Sequence, residues 1–189
     1  MVKKRNLSDI ESTETIDASE TRIGIIVSDW NKKITQALLE GAIKTLKAGG
    51  ILNENIIVYH VPGSYELPQA AAKMHDAFEI DAVICLGCII QGETRHFEFI
   101  AQAVAQQCQQ VAVNTLKPVI FGVLTTDTYE QALDRAGGKH GNKGDEAAHT
   151  ALQMASLYFK MNQEGDDPFD LFDPFDDFDD DDEFDDDDL

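Results

Sequence analysis

Short apolar runs alternate with longer amphipathic stretches along most of the chain. Four runs are apolar almost throughout and rich in β-branched residues, and these are Arg22–Val27, Ile56–Val61, Ala82–Gly87 and Val119–Leu124. Short runs of this kind are typical of strands that are buried on both faces. After the first run, Ile34, Leu38 and Ala42 recur at helical spacing until Gly49, where a helix is expected to end.

The later stretches also carry helix signals. The expected helices are one that carries Ala70–Met74 with Pro68 in its first turn, one near His96–Gln110, a short one through Arg135, and a last one over Asp145–Lys160. The segment Asp127–Glu130 fits a capping box for the short helix, and the glycine-rich residues 137–144 interrupt the pattern after it. Strands separated by helices predict a three-layer, flavodoxin-like α/β sandwich, with a parallel sheet of about four strands covered by helices on both faces.

The acidity of the chain is concentrated near its C-terminal end. The net charge is −20, and 16 of the 35 acidic residues but none of the 15 basic ones lie in residues 164–189. The first 163 residues therefore hold 19 acidic and 15 basic residues, a net charge of −4. We predict a flexible N-terminal segment over residues 1–20, one domain over 21–163 and a disordered, Asp- and Phe-rich tail over 164–189. The tail could be a solubilising extension, or its spaced phenylalanines could dock into a partner's groove.

Composition also disfavours several kinds of partner and chemistry. The domain has no basic stripe, so we expect no nucleic-acid partner. The first 20 residues lack an apolar run of signal-peptide or membrane-spanning length, so we expect a cytoplasmic protein without a membrane partner. Three cysteines are too few for a disulfide framework, in agreement with a reducing compartment. Cys85 and Cys88 have C-x-x-C spacing, but Cys85 lies inside an apolar strand, which favours structural thiols over a redox pair or a metal site.

The segments after the predicted strands are the candidates for a functional site, because ligands of such sheets bind beyond the carboxyl ends of the strands. These segments are Ser28–Asn31, Pro62–Glu66, Cys88–His96 and Thr125–Asp127. A flat ring could stack on Trp30 or Phe121 while Glu66 reads its polar edge. Backbone N–H groups near Thr94, where a helix is expected to begin, favour a phosphate. His96 has the unperturbed pKa that suits proton transfer near neutral pH.

Each of these residues also has an ordinary structural interpretation. Trp30 could cover the end of the sheet, and His96 could be a surface residue of its helix. Glu66 could be a first-turn charge that the helix dipole favours, and Arg135 could be a solvated residue at a helix C-terminus. The residues alone leave both sets of interpretations open.

Four motifs extend the interpretation beyond single residues. VPGSYELP, GCIIQGETRHFEF, PVIFGVLTTDT and RAGGKHGNKG occur in this order between Arg22 and Asn162. In sequence and separation they resemble the 6,7-dimethyl-8-ribityllumazine synthase family of riboflavin biosynthesis. The resemblance implies an enzyme that condenses 5-amino-6-(D-ribitylamino)uracil with (3S)-3,4-dihydroxy-2-butanone 4-phosphate. It implies no cofactor and no metal, because every step of that reaction moves protons between nitrogen, carbon and oxygen.

The resemblance also implies roles for twelve residues. The ribitylaminouracil is expected to contact Trp30, Ser64, Tyr65, Glu66, Cys88, Ile89, Ile90 and Phe121. The phosphate of the butanone is expected at Glu93, Thr94 and Arg135, and His96 matches the histidine proposed as the proton donor. Three positions depart from the common pattern, because many members have Phe in place of Trp30, Thr in place of Cys88 and a small residue in place of Glu93. We therefore expect the backbone N–H of Glu93 to bind the phosphate and its carboxylate to point away.

The resemblance implies an oligomer as well. The family forms pentamers whose sites lie between neighbouring subunits, with the counterparts of Phe121 and Arg135 supplied by the adjacent chain. Some members stack into 60-subunit shells, and the uninterrupted GGKHGNKG segment resembles those members. Riboflavin synthase is a candidate protein partner. Two other functions stay open at this point: a flavin- or lumazine-binding module without activity, and a shell-forming container protein.

Overall fold

A four-stranded parallel sheet forms the centre of the protein in a computed structural model that describes residues 20–165. The strands are β1 (Ile23–Ser28), β2 (Ile56–Val61), β3 (Ala82–Ile90) and β4 (Val119–Thr126), in the spatial order β2-β1-β3-β4. The helices are α1 (Lys32–Ala48), α2 (Leu67–Ala77), α3 (His96–Thr115), α4 (Tyr129–Asp134) and α5 (Lys143–Gly165). A short antiparallel hairpin of β5 (Ala136–Gly138) and β6 (Gly141–Asn142) lies between α4 and α5.

Two hydrophobic cores lie on opposite faces of the sheet. Ile25 of β1 packs with α1, α4 and α5 on one face, and the next residue, Ile26, packs with α2 and α3 on the other. Successive side chains of a strand point to opposite faces, so strands that are apolar throughout supply both cores at once. The predicted three-layer sandwich around a parallel sheet of four strands is confirmed.

The predicted strands were right in position, but two of them are longer than their apolar runs. β3 continues from Gly87 to Ile90, and β4 continues from Leu124 to Thr126. The two extensions pair with each other, up to Ile90 opposite Thr126. Hydrogen bonding between β3 and β4 therefore extends the sheet beyond the hydrophobic core. An apolar run in the sequence does not reveal this extension.

The segment between α4 and α5 differs most from expectation. The capping box predicted at Asp127–Glu130 was wrong by one residue, because Thr128 is the N-cap and its Oγ1 accepts a hydrogen bond from the Gln131 N–H at 3.2 Å. The glycine-rich interruption is the β5–β6 hairpin, whose Gly137 and Gly141 have φ values of 101° and 81°. These left-handed conformations suit glycine, which has no Cβ.

An asparagine attaches this hairpin to the body of the domain. The side-chain amide of Asn142 donates to the Ala37 carbonyl of α1 at 2.8 Å and accepts from the Gly144 N–H at 2.8 Å. Gly41 makes the approach possible, because a Cβ there would lie 2.5 Å from Asn142 Nδ2. The residues that flank the hairpin are therefore held in a fixed position against α1.

The two predicted terminal segments lie almost wholly outside the described residues. Those segments are residues 1–20 and 164–189, and α5 continues two residues past the predicted domain end, to Gly165. Among residues 20–165, no helix is long and apolar enough to cross a membrane.

The buried His75, on the last turn of α2, predicts a pH-dependent stability. It is 8% exposed, and its ring lies near the Pro118 backbone without a well-formed hydrogen bond from either ring nitrogen to the described residues. Burial, and then the charge of Lys117, lower the pKa of His75 below its ordinary 6.5. The unfolded chain therefore takes up this proton at a higher pH than the folded one, and the free energy of unfolding falls as the pH drops below 6.5.

We expect the free energy of unfolding of His75→Leu to fall less as the pH drops, since the substitution replaces the titrating group with an apolar side chain of similar size. Urea unfolding at about pH 7.5 and about pH 5.5 measures the effect on the two sides of an ordinary histidine pKa. His140→Leu, at an exposed histidine, is the matched control. An unchanged pH dependence in His75→Leu would show that His75 does not cause it.

Candidate active site

A cleft of about 570 Å³ lies at the carboxyl ends of the strands, within the size range of small-molecule sites. It is lined by the segments that follow β1 and β2, by the end of β3 and the segment after it, and by the first two turns of α3. Nine of the twelve residues predicted for the site line it, and these are Trp30, Ser64, Tyr65, Glu66, Cys88, Ile89, Ile90, Thr94 and His96. Glu93, Phe121 and Arg135 are not among its lining residues.

The unequal lengths of β1 and β3 expose backbone groups to this cleft. β1 pairs with β3 only as far as Val27 opposite Leu86, whereas β4 accompanies β3 to its end. The Gln91 N–H donates to the Thr126 carbonyl at 2.9 Å, so the backbone groups of odd-numbered residues at this end of β3 face β4. The N–H and carbonyl of the even-numbered Ile90 therefore face the side where β1 has ended, and they can pair with the edge of a ligand.

Asn31 joins the segment after β1 to this exposed part of β3. Its side-chain amide donates to the Cys88 carbonyl at 3.0 Å. Its backbone is left-handed, with φ 60° and ψ 42°, a conformation that asparagine adopts more readily than most residues. Because Trp30 N–H also donates to the Pro62 carbonyl at 3.2 Å, the segments after β1, β2 and β3 form one connected rim.

Trp30 extends from this rim with 73% of its surface exposed. An indole that buries so little of itself contributes little to covering the sheet end. It is free to stack on a flat ring in the cleft, and planar π systems favour such offset stacking.

The turn after β2 contributes two polar residues, Ser64 and Glu66, to the lining of the cleft. Ser64 is 7% exposed, and its Oγ has no hydrogen-bond partner among the described residues. The Glu66 carboxylate accepts the Gly63 N–H at 3.0 Å, so one of its oxygens stabilises the turn. The structural interpretation of Glu66 and the functional one are therefore compatible, because a carboxylate has a second oxygen that can accept from a ligand hydroxyl.

The start of α3 forms the remaining wall. Thr94 Oγ1 accepts the His96 N–H at 3.4 Å, and the side chains of both residues are exposed. Arg95 points its guanidinium at Glu98, 2.8 Å away, and is thereby paired within its own helix. A helix of 20 residues directs the positive end of its dipole here, which favours an anion. Gly92 and Thr94 line the cleft, whereas Glu93 is exposed and is not among the lining residues.

Phe121 and Arg135 lie elsewhere on the same chain. Phe121 is half-buried on the sheet face that α2 and α3 cover. Arg135 follows α4 and lies 3.5 Å from the buried carboxylate of Glu146. A single copy of the chain therefore brings together seven of the eight expected ribitylaminouracil contacts with Thr94 and His96, but neither Phe121 nor Arg135.

The sequence did not reveal two features, the cross-link from Asn31 in the cleft and the buried carboxylate of Glu146 beside Arg135. Asn31 precedes a helix, where asparagine is common, but its bond to Cys88 joins residues 57 positions apart and has no local signal. Glu146 looks like an ordinary first-turn acid of α5, and only the tertiary packing buries it.

The cysteines agree with the structural role predicted for them. Cys85 packs in the core beneath α2 and α3, whereas Cys88 packs in the core on the opposite face, so the two thiols point apart. Burial raises the pKa of Cys88 to about 12, and hydrogen bonding to Cys108 together with burial raises the pKa of Cys85. A reactive thiolate requires the opposite shift. Within residues 20–165, no group of three or more His, Cys, Asp or Glu side chains is placed to hold a metal ion.

The fold and the cleft together define a flavodoxin-like α/β protein with a small-molecule site at the carboxyl end of its sheet. The sequence model of the 6,7-dimethyl-8-ribityllumazine synthase family matches residues 20–158. The chain therefore belongs to the 6,7-dimethyl-8-ribityllumazine synthase family, a family of enzymes.

Individual relatives agree with this assignment. The 6,7-dimethyl-8-ribityllumazine synthase of Porphyromonas gingivalis is 53% identical over 152 residues, which cover 80% of this chain and 94% of that protein. The enzyme of the same name from Cytophaga hutchinsonii is 55% identical over 150 residues, covering 79% and 94%. That from Parabacteroides distasonis is 49% identical over 153 residues, covering 81% and 96%. The similarity thus extends over nearly the whole length of each relative.

Gly87 lies where β3 packs closely against the turn after β2. A Cβ at this position of β3 would lie 2.6 Å from Ser64 Oγ and 3.0 Å from Leu67 Cδ1. We expect Gly87→Ala to push the Ser64 turn away from β3, to cost about 1–3 kcal/mol in unfolding free energy and to weaken ligand binding. Gly92→Ala is the control for stability, because nothing lies within 4 Å of its Cβ position. Urea unfolding measures the stability of both variants. Equal stabilities of Gly87→Ala and Gly92→Ala would contradict the close packing of Gly87 against the Ser64 turn.

Proposed function

We propose that the protein condenses 5-amino-6-(D-ribitylamino)uracil with (3S)-3,4-dihydroxy-2-butanone 4-phosphate to give 6,7-dimethyl-8-ribityllumazine, phosphate and water. The observation that carries the proposal is the grouping of nine predicted site residues around one cleft at the carboxyl end of the sheet. Membership of the family and the shared names of its relatives support the same reaction.

The chemistry suits a site of this composition. The substrate amine adds to the ketone, and loss of water gives an imine. Phosphate is then eliminated, the product tautomerises, and ring closure releases a second water. Each step transfers protons, which a single imidazole in exchange with water can serve. Holding the two reactants at attack distance can supply roughly 7–11 kcal/mol of the remaining acceleration.

The pyrimidine half of the site follows from the shape of the cleft. Trp30 stacks on the ring, and the segment Cys88–Ile90 reads its polar edge through the backbone groups of Ile90, which face the side where β1 has ended. The turn Ser64–Glu66 binds the ribityl chain, with the free oxygen of Glu66 accepting from its hydroxyls. The exposed backbone of β3 supports this assignment, because it offers donors and acceptors in one plane.

The phosphate half lies at the start of α3. The Thr94 side chain and the backbone N–H of the adjacent Glu93 bind the phosphate, and His96 transfers protons at the reacting carbons and nitrogens. Thr94 and His96 both line the cleft. Arg135 supplies the charge that holds the phosphate and stabilises it as it leaves. Phe121 provides a second aromatic contact to the ring.

A homo-oligomer would give two predicted residues that do not line the cleft of their own chain, Phe121 and Arg135, a place in the site. We propose a cytoplasmic pentamer in which Phe121 and Arg135 complete the cleft of a neighbouring copy. Their absence from the lining of their own chain's cleft supports this arrangement. A 60-subunit shell is the larger assembly that we propose, since the compact β5–β6 hairpin leaves the segment before α5 without an insertion. Riboflavin synthase, which consumes the product, is the proposed protein partner.

The function is tested by mixing the purified protein with both substrates. We expect lumazine fluorescence to appear together with one phosphate per product, and neither signal when either substrate is omitted. A protein that binds lumazine or flavin without forming it would instead be a binding module, and the proposed reaction would be wrong.

His96→Ala tests the proposed proton transfer. We expect turnover to fall by about 10²-fold or less, since a general acid–base group supplies at least about this factor and water replaces part of it. The KM values of both substrates should change little, because the imidazole acts in the transition state. Steady-state kinetics with an unchanged kcat would remove His96 from the mechanism.

The acidic tail has a separate proposed role. Sixteen acids in residues 164–189 attract cations and basic proteins, while the charges of the first 163 residues are nearly balanced. We expect truncation after Gln163 to leave assembly and turnover intact and to abolish any association with a basic protein that salt weakens. Changing the five phenylalanines of the tail to serine, with all acids kept, separates charge from aromatic docking. The size of the assembly is measured by sedimentation, and turnover by lumazine formation. If truncation broke up the assembly or markedly reduced lumazine formation, the tail would be required for assembly or catalysis.

A further inference from the structure

Glu146, on the first turn of α5, is a buried carboxylate to which the proposed mechanism gives no role. Its side chain is 7% exposed, and its oxygens lie 2.9 Å from Lys143 Nζ and 3.5 Å from the Arg135 guanidinium. An ionised carboxylate is costly to bury unless cations and hydrogen bonds compensate for the lost water. The two cations provide that compensation.

The backbone fixes the three side chains around the base of the hairpin. The Lys143 N–H donates to the Arg135 carbonyl at 2.8 Å, and the neighbouring Ala136 and Asn142 are paired across the hairpin. Because Asn142 is itself bonded to Ala37 of α1, this base cannot shift without breaking contacts to the domain. The backbone at Arg135 and Lys143 is therefore held in place, and the buried Glu146 carboxylate lies between their two cationic side chains.

Arg135 keeps part of its surface available. Its side chain is 40% exposed, against 28% for Lys143 and 7% for Glu146. A guanidinium has five N–H donors in a planar arrangement, so one edge can face a carboxylate while another meets a phosphate. One carboxylate between two cations also leaves the cluster with a net positive charge, which attracts a dianion.

We propose that Glu146 is a positioning residue for phosphate binding: it orients Arg135 so that the exposed edge of the guanidinium is directed at the phosphate of the ketone substrate. This inference rests on the proposed function, and it adds a residue that does not itself touch substrate. The competing explanation is that Glu146 only stabilises the hairpin, in which case its removal would impair every property of the site.

A double-mutant cycle separates these explanations, because residues that act through one another show non-additive effects. The variants are Glu146→Gln, Arg135→Ala and the double variant, with Glu130→Gln, an exposed acid of α4, as the matched control. We expect Glu146→Gln to raise the KM of the phosphorylated ketone about tenfold, with kcat and the KM of the pyrimidine changed less than about threefold. In the Arg135→Ala background the same change should have less than about a twofold effect.

A second measurement does not depend on turnover. Calorimetric titration with inorganic phosphate should show weakened binding in Glu146→Gln and no further weakening when Arg135 is already Ala. Glu146→Asp, which keeps the charge and shortens the side chain, should recover part of the affinity, and it replaces Gln in the cycle if the amide variant does not assemble. Equal effects in both backgrounds, or equal losses for both substrates, would overturn the inference. Failure of the unaltered protein to form lumazine would overturn the reaction instead, and phosphate titration would still decide the role of Glu146.

Discussion

The unequal lengths of β1 and β3 are the constraint on which the candidate site depends. β1 ends at Ser28, opposite Val61, while β3 continues beside β4 to Ile90. This step exposes one edge of β3 at the place where the segments after β1 and β2 leave the sheet. A strand edge buried inside a domain would leave polar groups unsatisfied, so the exposed edge is suited to a ligand that pairs with it.

The polar groups around the cleft divide their hydrogen-bonding capacity between the fold and the ligand. The Asn31 side-chain amide donates to the Cys88 carbonyl, and one oxygen of Glu66 accepts the Gly63 N–H. The outward peptide groups of Ile90 remain for a ligand. Such a division keeps the site geometry fixed before a substrate arrives, which reduces the ordering cost of binding.

Much of the fold was predictable because its four strands are buried on both faces and therefore appear as continuous apolar runs. The position of nine residues around the cleft was predictable for the same reason, since ligands of such sheets bind beyond the strand ends. The extension of β3 to Ile90 depends on pairing with β4, and the hairpin depends on glycines with positive φ, so neither follows from hydrophobicity. The burial of Glu146 arises between α5 and the hairpin, and no pattern within either segment indicates it.

The proposed site is complete only when Arg135 of one copy reaches the cleft of another. Co-assembly of His96→Ala and Arg135→Ala chains in equal amounts tests this division, with lumazine formation measured at limiting ketone. A shared site predicts recovery to about a quarter of the unaltered rate, because about one interface in four then pairs an intact His96 with an intact Arg135. A rate no higher than the average of the two separate variants would show that both residues serve the same chain, and it would contradict a site shared between copies.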